Sequence, residues 1–275
     1  MKKTKDIPLS TMQTIPDSGL FIKRFGQFGT TVMKPHAHRD DYYIFVLLTD
    51  GEAGVEIDFE RRGLSTGDIL IVSPWQVHGK PADEKWEADG WMLALSPELL
   101  SESDIRAIDE YSITPLPFRS APGIVHDVTT LCSMLERYDD AEVSRALAAA
   151  VKSIVLSAIG TSGNSVSGRY KSITLRLRKM LDRHLTTEKS PAAYASMLNI
   201  SEVYLNEAVK ESTGISVGSY IRNRVVVQAK RQLAYTAMSA KEIAYALGYD
   251  DYAYFSKLFK KSTGKSPAEF RRNLK

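Results

Sequence analysis

Cysteine is all but absent from this chain: among 275 residues only Cys132 carries a thiol, so no disulfide can close within it. Cys132 falls in an apolar helical pattern and reads as a small core residue, which fits a reducing compartment. Long hydrophobic runs are missing as well. The most apolar stretch, residues 146–159, is interrupted by Lys152 and is too short to cross a bilayer. The basic start, MKKTKDIPLSTMQ, is not followed by an apolar h-region, so it does not read as a signal peptide. The expectation is a cytoplasmic protein with no membrane partner. Nor is there the bias of a disordered chain, since 43% hydrophobic and 25% charged residues are ordinary for a globular one. The length suggests two domains, each large enough for its own core.

Charge of one sign is scarce in each half. Residues 168–275 hold 20 Lys and Arg against 9 Asp and Glu, a net of +11. Residues 1–167 hold 16 against 24, a net of −8. A basic half beside an acidic one is the footprint of a nucleic-acid binder, whose affinity rests largely on phosphate neutralisation.

In the basic half, residues 241–272 carry two short apolar stripes, Ile243, Ala244 and Leu247, then Phe255, Leu258 and Phe259, with Gly248 between them. Two short helices joined by a tight glycine turn make a helix-turn-helix, whose second helix can enter the DNA major groove. Its outward positions are Ala253, Ser256, Lys257 and Lys260, flanked by Tyr252 and Lys261. The pattern occurs twice. Ala195 and Leu198 match Ala244 and Leu247; Leu205, Val209, Thr213, Gly214 and Ser216 match Phe255, Phe259, Thr263, Gly264 and Ser266. Asn199 replaces the turn glycine, and Asn also tolerates the left-handed conformation. The first outward face is then Val203, Asn206, Glu207 and Lys210. Asn206 can address adenine bidentately, and Glu207 can select cytosine or stand at the rim. The lysines would meet phosphates or guanine edges. The first repeat is thus read as the source of hydrogen-bond specificity and the second as the source of grip.

Residues Ile243–Ala244, Gly248–Tyr249, Tyr254–Phe255, Phe259–Lys260–Lys261, Gly264, Ser266–Pro267 and Phe270–Arg271 resemble the signature of AraC/XylS-type transcription regulators. The likeness covers roughly the last hundred residues. It implies two helix-turn-helix units bridged by a long helix over residues 217–235. Three positions depart from the usual pattern: Tyr249 for Phe, Lys257 for Arg and Ala253 for Ser. Lys257 puts a point charge where a bidentate fork is usual, and Ala253 leaves at most an apolar contact, for example to a thymine methyl.

The acidic half reads as short strands between turn signals. Residues 42–48 (YYIFVLL) form an apolar strand, Asp50–Gly51 reads as a turn, and residues 54–59 alternate with Val55, Ile57 and Phe59 inward. Gly67–Asp68 is a second turn, followed by strands over residues 69–72 and 91–95. Such spacing suggests a jelly-roll sandwich or barrel. His36-x-His38 ahead of the first strand, and Gly67–Asp68 with Pro74 and His78 behind it, are similar to the two motifs of cupin barrels. The resemblance implies a ligand-sensing domain, with His36, His38, Tyr43, Trp75, His78 and Trp91 as its candidate ligand-binding residues. Aromatic walls with a few polar groups suit a small-molecule pocket, and the same aromatics equally suit a barrel core. Three histidines also suit a divalent metal. The carboxylate that metal cupins place a few residues on is matched only roughly by Asp40 or Asp41. The histidines are therefore read as pocket or strand-end residues, with no metal and no cofactor assigned.

Beyond Pro97 the chain turns helical. Residues 97–110 read as one helix and residues 114–122 as a proline-rich loop. Two further amphipathic helices carry Val125, Val128, Leu131, Leu135 and Tyr138, then Val143, Leu147, Val151, Ile154 and Ala158. Their apolar stripes are read as a dimer contact, with packing onto the barrel as the alternative. A Ser/Gly/Asn stretch over residues 161–168 reads as a linker. The expected organisation is multidomain α and β. A cupin-like β-barrel (1–98) precedes helices for dimerisation or coupling (99–160), the linker (161–168) and an all-α domain with two helix-turn-helix motifs (169–275). The expected function is a sequence-specific, effector-controlled transcription regulator without catalysis. Its partners would be double-stranded DNA, a small-molecule effector, a second copy of itself, and RNA polymerase if it activates. One alternative is a metal-dependent cupin enzyme using His36, His38 and His78, fused to a DNA-binding domain; another is an N-terminal half that only dimerises.

Overall fold

The computed structural model describes residues 9–10, 19–26, 38–74, 76–81, 87–112, 118–138, 140–161 and 168–274. His36, Trp75 and residues 162–167 of the expected linker lie outside this set. The described residues divide into two compact units, one over 9–161 and one over 168–274.

The first unit is a largely antiparallel sheet covered by helices. Its strands are β1 (Leu9–Ser10), β2 (Leu20–Phe25), β3 (Arg39–Asp40), β4 (Tyr43–Ile57), β5 (Glu60–Ser65), β6 (Asp68–Val72), β7 (His78–Gly79), β8 (Glu87–Leu95) and β9 (Phe118–Arg119). Among the described residues seven strands join one sheet in the order β2-β8-β4-β6-β9, with β5 and β7 also paired to β4. β1 and β3 form a separate parallel pair. The run YIFVLL is continuously apolar because both faces of β4 are covered. Ile44, Val46 and Leu48 join Val55, Ile57, Leu70 and Val72 in one buried cluster. Phe45 and Leu47 join Ile69, Ile71, Trp91 and Leu93 in another on the opposite face. The period of two thus sorts one apolar run into two cores.

Asp50–Gly51 is not the turn that its sequence suggests. β4 runs straight through it, and the pairing with β8 shifts register between Leu48 and Asp50. Gly51 adopts φ +82, and a Cβ there would lie 2.1 Å from the Glu87 carbonyl oxygen, so the glycine serves a bulge. The chain reverses instead at Asp58 (φ +49) and Phe59 (φ +67), between the paired residues Ile57 and Glu60. Two consecutive positive φ values are those of a type I′ hairpin turn, so Phe59 belongs to the turn and not to the inward set.

The expected single helix over residues 97–110 is two pieces, a 3-10 turn Pro97–Leu99 and α1 (Glu102–Tyr111). Ser101 and Asp104 close a reciprocal capping box at the start of α1. α2 (Pro122–Leu135) and α3 (Ala141–Thr161) follow. The middles of the two stripes read as a dimer contact are covered within the chain, while Tyr138 and Val143 at their facing ends are exposed. Ile108, Val128, Cys132, Leu135, Val151 and Val155 share the buried cluster of Phe45, Leu47 and Trp91. Periodicity shows that a helix has an apolar face; here the outer face of the sheet covers it. Cys132 is fully buried, and burial pushes its thiol up to about 12, as befits an inert core residue.

The second unit is all helical: α4 (Gly168–His184), α5 (Pro191–Met197), α6 (Glu202–Thr213), α7 (Val217–Tyr235), α8 (Ala240–Ala246), α9 (Tyr252–Thr263) and α10 (Pro267–Asn273). One cluster runs through it, joining Leu177 and Leu181 of α4, Leu205 and Val209 of α6, Ile221 and Val225 of α7, and Phe255 and Phe259 of α9. Each fully buried Phe or Leu contributes roughly 1.5–3 kcal/mol by leaving water. Ser190, Ser201, Ser216, Ser239, Asp251 and Ser266 cap the N-termini that follow them through side-chain oxygens.

Candidate nucleic-acid interface and sensing site

The duplication read from the sequence recurs at atomic detail. The turn after α5 holds Asn199 at φ +55 and the turn after α8 holds Gly248 at φ +78, both left-handed. α6 and α9 end in Gly214 and Gly264 at φ +76 and +75. Thr213 Oγ1 donates to the Val209 carbonyl (2.7 Å) and accepts from Ile215 N–H (3.3 Å). Thr263 does the same with Phe259 (2.9 Å) and Lys265 (3.3 Å). Ala195, Leu198, Leu205 and Val209, like Ala244, Leu247, Phe255 and Phe259, are buried. Each pair is a helix-turn-helix with its second helix, α6 or α9, turning a defined face outward.

On α9 the outward residues are Ala253, Lys257, Lys260 and Lys261, all exposed, with Tyr252 and Ser256 half-buried beside them. On α6 they are Val203, 80% exposed, with Glu207 and Lys210. Two α6 side chains already have partners within the unit. Val217 N–H, the first of α7, donates to Asn206 Oδ1 (3.1 Å). Tyr170 of α4 donates through its hydroxyl to Glu207 Oε1 (2.8 Å), and that bond raises the Tyr170 phenol. A bidentate adenine contact uses both the oxygen and the NH₂ of an Asn. Asn206 is half-buried and one lone pair of its Oδ1 is taken by the Val217 N–H, so a bidentate contact would share that oxygen with α7.

Tyr254 entered the sequence reading only as part of the family signature and not as an outward residue, yet it is 58% exposed on α9, its ring 6.1 Å from that of Tyr249. Its counterpart in the first repeat, Tyr204, is half-buried, with the Arg169 guanidinium 5.5 Å above its ring. A tyrosine in each repeat was visible in the sequence; which of the two would be covered depends on α4, and the repeat pattern does not contain α4. Behind the second turn, Lys189 Nζ donates to the Thr186 and Gly248 carbonyls (3.4 and 3.3 Å) and lies 4.8 Å above the Tyr249 ring. Burial lowers its pKa.

In the sensing unit the candidate ligand residues do not form one wall. Tyr43 and Trp91 pack in the cluster beneath the helices. Trp91 is only 2% exposed, with Arg24 5.8 Å above its ring, which makes it a core residue. His38 and His78 instead meet each other, their ring centroids 4.3 Å apart. Asp40 joins them, and Tyr42 packs against the cluster of Ile44, Val46 and Leu48. Burial, with Asp40 second, holds the Tyr42 phenol well above its usual range. Strand alternation puts neighbours 42 and 43 on opposite faces, which divides the candidates. A small, mostly apolar groove, missed in the sequence, opens elsewhere, between the strand ends at Leu20 and Leu95, Leu99, and Arg145, Ala148 and Lys152 of α3.

A sheet domain with a covered face, joined to a twin helix-turn-helix unit, defines a DNA-binding regulator with a separate ligand-binding domain. Comparison with known proteins gives the family. The description "AraC-like ligand binding domain" matches residues 22–158, and "Helix-turn-helix domain" matches residues 194–273. The chain belongs to the AraC-type transcription regulators. It is 25% identical over 260 residues to the Msm operon regulatory protein of Streptococcus mutans, a match covering 90% of this chain and 87% of that protein. It is 39% identical over 80 residues to the arabinose operon regulatory protein of Escherichia coli, covering 29% of this chain and 27% of that one. To RhaS of Enterobacter it is 25% identical over 160 residues, 57% of this chain and 58% of RhaS. The chain thus spans most of the first relative but less than two thirds of the other two. Among solved structures, the C-terminal domain of AraT from Geobacillus stearothermophilus is 32% identical and covers 40% of this chain and 88% of that domain, with a TM-score of 0.36. Among the described residues no helix is long and apolar enough to cross a membrane.

Proposed function

We propose that α6 and α9 enter successive major grooves of an operator, and that an effector bound in the N-terminal unit controls this contact. The observation that carries the reading is the repeated turn-and-cap geometry, with both second helices facing outward. α9 supplies most of the electrostatic grip through Lys257, Lys260 and Lys261. α6 presents Glu207 and Lys210 beside the apolar Val203, a candidate for thymine-methyl contact. Asn206 acts first as a brace between α6 and α7. The reading assigns no catalytic step and a cytoplasmic location. A homodimer remains part of it, with the exposed Tyr138 and Val143 near the α2–α3 corner as the contact. RNA polymerase joins as a partner if the chain activates.

The test starts from an operator selected out of a random duplex pool. Lys260→Ala is expected to weaken binding to target and scrambled duplex alike and to reduce the salt slope by about one. Asn206→Ala is expected to lower thermal stability while leaving the ratio of target to scrambled affinity nearly unchanged. A ratio that collapses would restore Asn206 as a base reader, and an unaltered slope for Lys260→Ala would remove its phosphate contact. Sedimentation of the same complexes counts the chains per operator, and one chain at every concentration would remove the dimer.

A further inference from the structure

His38 and His78 are joined by two backbone hydrogen bonds, each N–H donating to the other's carbonyl at 2.9 Å. Directly opposed residues in an antiparallel pair project to the same side. Asp40 lies two residues beyond His38 in the same extended segment, and the period of two returns it to that side. All three are buried, at 6%, 2% and 2% exposure for His38, Asp40 and His78. Asp40 Oδ2 stands 3.0 Å from His78 Nε2 and 3.8 Å from His38 Nε2. One ligand atom from each residue falls within 4.8 Å of the other two.

The orientation of His78 sharpens this. Its Nδ1 lies 3.1 Å from the Gln76 carbonyl oxygen, which can only accept, so the contact is a hydrogen bond when Nδ1 carries the proton. In the neutral ring Nε2 is then a lone pair directed at a carboxylate oxygen 3.0 Å away. Either a proton or a metal ion between them fits that separation. A carbonyl fixing the remote nitrogen is also the support that metal-bound imidazoles receive. Ligands held at roughly 2.0–2.2 Å from an ion stand about 3–3.5 Å apart around it; the Asp40–His78 separation of 3.0 Å falls in that range, and the Asp40–His38 separation of 3.8 Å would have to shorten by a few tenths of an ångström.

We propose that His38, Asp40 and His78 form a binding site for a divalent first-row transition metal ion of the Zn²⁺ or Fe²⁺ type. Two imidazoles with one carboxylate suit these ions rather than Mg²⁺ or Ca²⁺, which take oxygen ligands. Three protein ligands leave coordination positions open, so the ion can act as a sensed ligand or accept an oxygen of an effector. The site goes beyond the DNA-reading function and does not depend on it.

The experiment uses the full chain, stripped with chelator, dialysed and titrated with Co²⁺ as a spectroscopic probe. Saturable uptake of one ion per chain is expected, with visible d–d bands that Zn²⁺ abolishes by displacement and with a rise in melting temperature. His78→Gln and Asp40→Asn are each expected to weaken uptake by at least the roughly 10–100-fold that loss of an outer-shell partner costs. His126→Gln and His184→Gln, at exposed positions, should leave it intact. Where a variant fails to fold, X-ray absorption on the wild-type Co²⁺ complex decides, and a first shell lacking imidazole overturns the site. Absence of saturable uptake, or uptake undiminished in both folded ligand variants, overturns it equally. Duplex binding is measured in parallel, so failure of the metal site and failure of DNA reading are separate results.

Discussion

At Gly248 a Cβ would lie 1.7 Å from the Thr186 carbonyl oxygen, in a turn whose φ of +78 already disfavours any side chain. The left-handed conformation costs a non-glycine residue roughly 1–2 kcal/mol, and backbone contact at this distance adds displacement of the 186–189 segment. Gly248→Ala is therefore expected to destabilise the second unit by more than about 2 kcal/mol in urea unfolding and to weaken duplex binding in proportion. Asn199 holds the same place in the first repeat at φ +55, so Asn199→Ala is expected to cost only about 1 kcal/mol. Equal losses at the two sites would contradict this account. The left-handed residues were legible in the sequence, because a Gly and an Asn occupy matching places in a duplicated pattern. The partner of Gly248 was not: Thr186 lies outside both repeats. Asn206 shows the same boundary, since its residue type suggested base reading while its partner, Val217 N–H, came from the following helix.

At the scale of elements, legibility follows how local the determining signal is. α7 lies where the family resemblance implied it, over Val217–Tyr235, and Ser216 caps its start within its own sequence. β4 was misread at Asp50–Gly51, where the same dipeptide can turn a chain or bulge a strand, and pairing with β8 decides. The α2 and α3 stripes were seen, but periodicity left open whether a second copy or the barrel covers them; the sheet face covers most of them. One joint invisible to periodicity is that between α7 and α10. Arg271 donates to the carbonyls of Leu233 (2.9 Å), Thr236 (3.2 Å) and Met238 (2.5 Å), so a charged fork closes the end of α7. Burial lowers the Arg271 pKa. Hydrogen bonds from a charged group contribute roughly 1.5–3 kcal/mol, and buried carbonyls left without a donor cost more than those returned to water. Arg271→Ala is expected to lower stability by about 2–3 kcal/mol. Arg271→Lys should recover only part, because an ammonium cannot span three carbonyls with a planar fork. Full recovery by Lys would mean that charge alone, without geometry, matters there.

At the scale of the whole molecule, charge separates the tasks more sharply than fold does. The net of +11 over residues 168–275 gathers where the reading helices lie, and the net of −8 over residues 1–167 keeps the sensing half from competing for phosphate. Phosphate contacts set the slope of log affinity against log salt at roughly −0.9 per contact, whereas an acidic neighbour acts through a field that salt screens over about 8–10 Å. These two contributions can be told apart. If the basic unit makes all the phosphate contacts, a fragment of residues 168–275, which has its own core, should show the same slope as the full chain between moderate and high salt. Below about 0.05 M salt, where the screening length grows, the fragment should bind non-specific duplex more tightly than the full chain, and the two curves should converge as salt rises. Fluorescence anisotropy on one labelled duplex across a salt series makes the comparison directly. A full-chain slope steeper by one or more would mean that cations of the acidic half reach the DNA backbone, and the division of labour between the two units would have to be redrawn.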